Sequence, residues 1–390
     1  MSEMFGICIM RGEAGCIKME KIVIIGGGIV GMTAAYLLAK QQKEVIVIDK
    51  KEPGQATVAA AGIVCPWLSK RRNKVWYELA KDSARYYPTL MQELAQDTTL
   101  NTGYKMVGAL CLREDETKLA ELEQIARDRH EEASEIGDIK QLSKAETQAK
   151  FPIVNPAFGG VFVSGGARVD GKLLVLALAD AATRHGAKII RDKAQLEKHG
   201  DTVIVAIGNE VIIADKIILA AGAWLPELVQ PLGLQAAIHP QKGQLLHLQF
   251  EEGIDTNEWP VVLPPSAKSI VPFDDGRVII GATHENEGGF DLEPTEAAIE
   301  EILEEIARFA PAVKNAKLAE IRVGTRPFTP DFTPVIGTLP TAKHIFVANG
   351  LGSSGLTTGP YVAKILVDLI QGRTPKTDIA GFDPSSAITS

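Results

Sequence analysis

Apolar residues near the start of the chain form two short runs separated by a longer stretch with a different pattern. Ile22–Ile25 and Val45–Ile48 are short and β-branched, which is typical of buried strands. Ile29–Lys40 lies between them and is rich in Ala, Leu and Met, which favour helices. The pattern therefore predicts a βαβ unit, with a glycine turn after the first strand and Asp49 at the end of the second.

Helical patterns recur at intervals along the rest of the chain. The segment 168–188 predicts a helix, with Asp170 as its N-cap and Gly186 as its C-terminal stop. The other predicted helices cover roughly 75–97, 115–133 and 294–309, and one closes the chain after the strand-like segment 344–350.

Strand-like pieces between 236 and 283 change the character of the chain. They alternate with polar turns, and Asp-Asp-Gly at 274–276 predicts a hairpin turn. This pattern indicates an antiparallel sheet inserted between scattered nucleotide-binding pieces. The fold class that we predict is α/β (α+β overall), a Rossmann-like nucleotide-binding domain with an inserted antiparallel-sheet domain. The expected nucleotide-binding ranges are 19–90, 150–235 and 325–375, and the expected inserted ranges are 91–149 and 236–324.

The glycine turn carries the first chemical signal. Gly26, Gly28 and Gly31 form G-x-G-x-x-G between a strand and a helix, a spacing that permits a tight turn, a close approach to pyrophosphate and close helix packing. Anions are favoured at such a helix N-terminus. Asp49 follows at the distance from which a carboxylate reaches a ribose hydroxyl, and an acid there disfavours a phosphorylated ribose.

Composition excludes several other classes. The 390 residues carry 41 basic and 49 acidic side chains, a formal charge of −8, which gives no bulk attraction for nucleic acid. The four cysteines form no CxxC pair, so neither a disulfide framework nor a metal site is expected, and a cytoplasmic location is the default. Residues 1–18 do not resemble a signal peptide, and we expect a poorly ordered extension before a natural start at Met19.

The segment 52–66 distinguishes between candidate cofactors. A nicotinamide-dependent dehydrogenase usually continues with further βαβ units after the acid, whereas this segment is an apolar loop rich in Ala and Gly. Small residues allow a flat ring to lie against the backbone. The loop therefore favours a flavin, and a nicotinamide-dependent dehydrogenase remains the alternative.

Several stretches, in a fixed order, extend this interpretation to a family. The chain resembles the FAD-dependent D-amino-acid oxidase family, and within it the branch of glycine oxidases and D-amino-acid dehydrogenases. The stretches that carry the resemblance are the glycine turn at 26–31, AAAGIV (59–64), ADKIILAAGAW (214–224), KGQ (242–244), IVPFDDGRVIIGAT (270–283), GTRPFTPDFTPVIG (324–337) and NGLGSSGLTTGP (349–360).

The resemblance implies non-covalent FAD across the first domain. The glycine turn would hold the pyrophosphate and Asp49 the ribose, the loop at 61–63 would lie near the isoalloxazine, Ala221 and Gly222 would close over the nucleotide, and a helix N-terminus at 352–357 would face the pyrimidine end of the flavin. The implied cofactor-binding residues are Gly26, Gly28, Ile29, Val30, Gly31, Asp49, Lys50, Ala61, Gly62, Ile63, Ala221, Gly222, Trp224, Gly352, Ser353, Ser354, Gly355, Leu356 and Thr357.

The implied reaction is oxidation of the C–N bond of a small amino acid or secondary amino acid, by hydride transfer from the α-carbon to flavin N5 and hydrolysis of the imine. Arg326 occupies the family's carboxylate-binding position, unless it pairs structurally with Asp331. Arg322 would share its strand face and could assist, and His284 at a strand end could face the substrate.

Three positions depart from the glycine oxidases. Ser269 stands where they carry an aromatic hydroxyl, Ser353 where they carry a second Arg, and Leu351 where their C-terminal loop commonly has His after Gly. These departures weaken glycine itself as the substrate. The expected partners are the amino acid and an electron acceptor, either oxygen or a quinone or another acceptor, with no nucleic acid. A homo-oligomer, peripheral membrane association of a dehydrogenase, and a non-catalytic FAD-binding subunit all remain open.

Overall fold

The computed structural model describes residues 19–69, 73–200 and 202–390, so the predicted N-terminal extension 1–18 lies outside the described residues. The helices are α1 (Ile29–Lys40), α2 (Lys74–Asp97), α3 (Glu116–His130), α4 (Lys144–Lys150), α5 (Gly171–Arg184), α6 (Leu225–Val229), α7 (Glu296–Ala307) and α8 (Gly355–Ile370). The strands are β1 (Lys21–Ile25), β2 (Glu44–Ile48), β3 (Ile63–Val64), β4 (Ala109–Arg113), β5 (Ile139–Leu142), β6 (Gly159–Val163), β7 (Ala167–Arg168), β8 (Lys188–Ile190), β9 (Ala194–His199), β10 (Thr202–Ile207), β11 (Glu210–Ile212), β12 (Lys216–Leu219), β13 (Gln235–Ala236), β14 (His239–Gln249), β15 (Val261–Leu263), β16 (Ser269–Pro272), β17 (Arg277–Gly281), β18 (Lys317–Phe328), β19 (Val335–Leu339), β20 (Ala342–Asn349) and β21 (Ile388–Thr389).

A six-stranded, mostly parallel sheet contains the predicted βαβ unit. Its order is β19-β20-β12-β1-β2-β8, and only β19 runs antiparallel to its neighbour. Alternate residues of β1 and β2 enter two different cores: one packs against α1, α5 and α8, and the other against α6 and the small sheet β11-β10-β9. Because both faces are covered, the strands are apolar at nearly every position, as the sequence shows.

An eight-stranded sheet forms the second layer, in the order β18-β14-β17-β16-β15-β4-β6-β5. Neighbouring strands are antiparallel, except that β15 and β4 are parallel. One face packs against α7, whose Ile302 and Ile306 share a core with Leu246 and Ile280. The other face turns its side chains toward the main core, so this layer can supply residues to a site between the two sheets.

Several local predictions are confirmed by the structure. The side chain of Asp170 caps α5 by accepting hydrogen bonds from the backbone N–H groups of Lys172 and Leu173. The turn at 274–276 joins β16 and β17, with φ of 58° at Asp275 and 75° at Gly276. One strand differs from the predicted ranges: β6 falls within 150–235 but lies in the eight-stranded sheet. The division into two domains therefore remains a proposal.

No helix in the described part of the chain combines the length and the hydrophobicity needed to cross a membrane.

Candidate active site

A cavity of about 620 Å³ lies between the two layers. Its lining comes from the carboxyl ends of β1, β2 and β12, from the loop after β2, from the N-terminus of α8, and from β14, β17 and β18. We call the region around β1 and β2 the nucleotide part and the region around β14, β17 and β18 the substrate part. Ligands of α/β folds bind where parallel strands end, so the position agrees with the sequence prediction.

The glycine turn forms one wall of the nucleotide part. A Cβ built on Gly31 would lie 1.9 Å from the carbonyl oxygen of Gly26, so only glycine lets α1 pack this close to the turn. Gly28 precedes α1 without a side-chain cap, and the backbone N–H of Ile29 donates to Thr57 Oγ1 at 3.1 Å. Gly26, Gly28, Ile29 and Val30 line the cavity, whereas Gly31 has the packing role. The helix N-terminus therefore presents backbone donors to an anion.

Asp49 lies at the end of β2, buried against the turn. Its Oδ2 accepts a hydrogen bond from Arg191 Nη1 at 2.7 Å, and its Oδ1 accepts one from Gln55 Nε2 at 3.0 Å. A Cβ on Gly27 would lie 2.7 Å from Oδ2, so the middle glycine makes room for the carboxylate. Asp49, Lys50 and Gln55 line the cavity. The two partners of Asp49, Gln55 and Arg191, were not predicted from the sequence.

Arg191 had a signal in the sequence that was not used. It directly follows β8 (Lys188–Ile190), which pairs in parallel with β2. Side chains at the carboxyl ends of neighbouring parallel strands meet at one edge of a sheet. That rule, applied to β2 and β8, would have placed Arg191 beside Asp49.

The loop after β2 crosses the cavity between its two parts. Ala61 and Ile63 line the cavity, while Gly62, with φ of 91°, packs so closely that a Cβ would lie 1.9 Å from the carbonyl oxygen of Val169. Arg322 Nη1 donates to the carbonyl oxygen of Val58 at 3.1 Å, and Arg322 Nη2 lies 3.0 Å from Glu320 Oε2. Arg322 does not line the cavity, so it is not placed to assist Arg326 in binding the substrate. It instead stabilises the loop after β2 through Val58.

The N-terminus of α8 closes another side. Gly352, Ser353, Gly355 and Leu356 line the cavity, but Ser354 and Thr357 do not. Ser354 Oγ donates to the carbonyl oxygen of Leu351 at 2.8 Å and accepts a bond from Trp76 Nε1 at 3.2 Å. Thr357 Oγ1 donates to the carbonyl oxygen of Ile63 at 2.8 Å.

These two hydroxyls join the helix to its neighbours. Ser354 occupies the N-cap position of α8 but makes no side-chain capping bond.

The segment after β12 borders the nucleotide part from the opposite side. Ala221, Gly222 and Trp224, three of the predicted cofactor-binding residues, line the cavity. Asn349 Nδ2 donates to the carbonyl oxygen of Gly222 at 2.8 Å, which ties this segment to the end of β20. The ring of Trp224 lies 5.3 Å from that of Phe290, centroid to centroid.

Arg326 brings a positive charge to the substrate part. Its Nη1 donates to Gln241 Oε1 at 3.0 Å and to the carbonyl oxygen of Thr283 at 2.9 Å. The guanidinium lies over Gly243, where a Cβ would come within 2.6 Å of it. Burial lowers the pKa of Arg326 to about 10, and the charge of Glu285 only partly opposes that effect.

The alternative pairing with Asp331 is not made. Asp331 accepts a hydrogen bond from the backbone N–H of Thr333, and Arg326 forms no ion pair with any described residue.

His284 lines the cavity one residue after the carbonyl group that binds Arg326. Partial burial lowers its pKa, as do the charges of Arg326 and Lys268, while Glu301 acts in the opposite direction. Ser269 also lines this part, and its Oγ donates to the carbonyl oxygen of Gly281 at 3.3 Å. The structure thus brings together Arg326, His284 and Ser269, which are far apart in the sequence.

A glycine-turn nucleotide site beneath an antiparallel sheet that supplies one partly buried arginine defines a dinucleotide-dependent oxidoreductase. The family model described as FAD dependent oxidoreductase (DAO) matches residues 21–369. The chain belongs to this family and is an FAD-dependent oxidoreductase.

Individual relatives extend over nearly the whole chain. The uncharacterized oxidoreductase YurR of Bacillus subtilis (strain 168) is 46% identical over 372 residues, covering 95% of this chain and 100% of that protein. A glycine oxidase of Pseudomonas aeruginosa (strain PAO1) is 30% identical over 375 residues, covering 95% and 100%. The crystal structure of iminodiacetate oxidase from Chelativorans sp. BNC1 superposes with a TM-score of 0.90 at 37% identity, covering 93% of this chain and 98% of that one.

The cavity fits the cofactor of the family. It is continuous from the buried carboxylate of Asp49, past the open N-terminus of α1, to the loop at 59–63 and the N-terminus of α8. A dinucleotide needs a ribose acceptor and backbone donors for the pyrophosphate, and both are present. Among the described residues, no group of three or more His, Cys, Asp or Glu side chains is placed to hold a metal ion.

Proposed function

We propose that this protein oxidises the C–N bond of a small amino acid or secondary amino acid whose carboxylate is bound by Arg326. The supporting observation is the guanidinium itself, which is largely buried, lines the cavity and forms no ion pair with a described residue. A buried charge without a counter-ion is costly, and a carboxylate ligand would compensate it. The names of the relatives, glycine oxidase and iminodiacetate oxidase, agree with a small amino-acid substrate.

We infer that the cofactor-binding residues keep the roles that the sequence predicts. Gly28, Ile29 and Val30 would hold the pyrophosphate, and Asp49 the ribose. Ala61 and Ile63 would lie against the flavin, and the N-terminus of α8 would stabilise negative charge on the ring. Gly31, Gly62, Ser354 and Thr357 would act by packing, because they do not line the cavity.

FAD, when bound, supplies the acceptor for the hydride of the substrate. The remaining work belongs to the protein. Arg326 fixes the carboxylate and thereby positions the adjacent carbon, while apolar side chains such as Leu245, Ala282 and Leu351 limit the access of water. The substrate loses a hydride from the α-carbon and a proton from the nitrogen, so its C–N bond becomes C=N, and water then converts the imine to a carbonyl compound and an amine or ammonia.

The first experiment is anaerobic bleaching of the flavin by a panel of amino acids. The panel contains glycine, D- and L-amino acids, and N-methylated and N-carboxymethylated glycines. Bleaching by at least one member is the expected result. If none bleaches the flavin, a non-catalytic FAD-binding subunit becomes the better interpretation. Mixing the reduced protein with oxygen or a quinone then identifies the acceptor.

The Arg326→Ala variant tests the anchor directly. Loss of a buried charge pair should weaken the binding of a simple carboxylate, such as methoxyacetate, by roughly 2–5 kcal/mol. The measurement is the change in flavin absorbance on titration. Arg308→Ala is the matched control, because Arg308 is exposed and does not line the cavity. An unchanged dissociation constant in Arg326→Ala would refute the assignment.

A further inference from the structure

The charges that line the cavity are unevenly distributed. The lining acids belong to the nucleotide part and its surroundings: Asp49, Glu52, Asp192, Glu197 and Glu227. The substrate part is lined by two groups that can carry positive charge, Arg326 and His284, and none of its described lining residues is acidic. A single carboxylate would use only one of these groups.

The small size of the neighbouring side chains also favours a substrate with a second group beside the carboxylate. Ala267, Ser269 and Ala282 line the same part of the cavity as His284. Small side chains leave room beside the Arg326 anchor. A substrate larger than glycine, with its extra group directed toward His284, would fill that room.

We propose that His284 is a second anion-binding position, so that the preferred substrate is a secondary amino acid with a carboxylate on each side of the nitrogen. This inference rests on the proposed function, because Arg326 must hold the first carboxylate. It makes His284 the residue that distinguishes dicarboxylates from monocarboxylates. The reaction is unchanged: one carbon next to the nitrogen is oxidised, and hydrolysis releases the other half as an amino acid.

The inference has a measurable consequence, namely that His284 should take up a proton when a dicarboxylate binds. The charged groups that act on His284 are Arg326 on β18, Lys268 before β16 and Glu301 on α7. Lys268 is held by Glu301 and Glu305, with Nζ–O distances of 2.6 Å to each, so its charge is largely neutralised.

His284 is exposed where it lines the cavity. Without a ligand, partial desolvation of the ring and the nearby cations Arg326 and Lys268 lower its pKa and favour the neutral imidazole. A carboxylate beside the ring favours the imidazolium. Dicarboxylate affinity should therefore be highest at low pH and should fall as pH rises between the pKa values of the free and the liganded protein.

Two ether acids provide matched probes. Diglycolate has two carboxylates on either side of an ether oxygen, and methoxyacetate has one. Neither contains an amine, so neither is oxidised and no ligand group titrates above about pH 5. Each is titrated into the FAD-bound protein between pH 5.5 and 8, and the change in flavin absorbance gives both dissociation constants. The preference for diglycolate should fall roughly three- to tenfold over this range.

Three variants separate the possible outcomes. His284→Met should lower the preference for diglycolate and remove its pH dependence. His284→Arg should keep a high preference at every pH, since its cation does not titrate in the range. His239→Met is the control: His239 is exposed on β14, does not line the cavity, and should behave like the wild type.

Failure of this inference is distinguishable from failure of the proposed function. If His284→Met and His284→Arg both keep the preference and pH dependence of the wild type, the second anion position is refuted, whereas methoxyacetate binding still depends on Arg326. If Arg326→Ala leaves methoxyacetate binding unchanged, the proposed function fails first. Should His284→Met not retain FAD, a pH-dependent preference in His284→Arg would by itself overturn the inference.

Discussion

The two parts of the cavity are built in different ways. In the nucleotide part, backbone packing sets the geometry: Gly26 and Gly31 lie so close to other backbone atoms that a Cβ at either position would collide with them. In the substrate part, the geometry is set by side chains on or next to the antiparallel strands β14, β17 and β18, such as Arg326 and His284. The first arrangement specifies a shared cofactor, and the second can vary between relatives with different substrates.

The largest effect is expected at Gly31. In Gly31→Ala the added Cβ would lie 1.9 Å from the carbonyl oxygen of Gly26, so α1 must move away from β1. We expect the free energy of unfolding to fall by about 3 kcal/mol or more, with loss of FAD. Chemical denaturation and the release of flavin on gel filtration measure the two effects.

Gly186→Ala is the matched control for that substitution. Gly186 has φ of 95°, and a Cβ there would meet nothing within 4 Å. It should therefore show only the cost of a left-handed conformation, about 1–2 kcal/mol, and bind FAD normally. Equal effects of the two substitutions would contradict the claim that backbone packing defines the nucleotide part.

A residue outside both parts should change stability alone. Asp97 joins α2 to α1 and α5: it accepts hydrogen bonds from Tyr36 Oη at 2.6 Å and Lys40 Nζ at 2.9 Å, and lies 3.1 Å from His185 Nε2. Burial by itself would raise the pKa of Asp97, but these partners outweigh it and lower the pKa to about 2.

Because the folded pKa is below the unfolded value near 4, Asp97 stabilises the fold above pH 4, and this contribution disappears as pH falls toward 2. Asp97→Asn should lower the free energy of unfolding at pH 7 by about 1–2 kcal/mol and flatten its acid dependence, with FAD affinity unchanged. Asp128→Asn, on the exposed face of α3, is the control. Parallel pH profiles of the wild type and Asp97→Asn would contradict the prediction.

Sequence patterns predicted the parts of the molecule that local physics determines. The bounds of α1, the N-cap Asp170 and the turn at 274–276 depend on neighbouring residues, and the structure has them as predicted. The cofactor, FAD, was predicted from the resemblance to a known family. Contacts between distant segments could not be predicted from the sequence, because they depend on how whole elements pack. Examples are the hydrogen bonds from Arg322 to Val58 and from Trp76 to Ser354.

The smallest expected effect concerns Arg191, which the sequence analysis missed. Its Nη1 donates to Asp49 from a half-exposed side chain, so the ion pair itself contributes about 0.5–1 kcal/mol. We predict that Arg191 is a positioning residue that holds the carboxylate toward the ribose. Arg191→Gln should raise the dissociation constant of FAD about two- to fivefold, and Arg191→Lys should restore part of the loss, because a positive charge remains.

Titration of the apoprotein with FAD, followed by quenching of flavin fluorescence, measures this change without relying on turnover. Arg184→Gln is a suitable control, since Arg184 pairs with Asp180 on the surface of α5 and lies outside the cavity lining. If Arg191→Gln and Arg191→Lys both bind FAD like the wild type, Asp49 needs no partner beyond Gln55. Backbone packing alone would then account for the geometry of the nucleotide part.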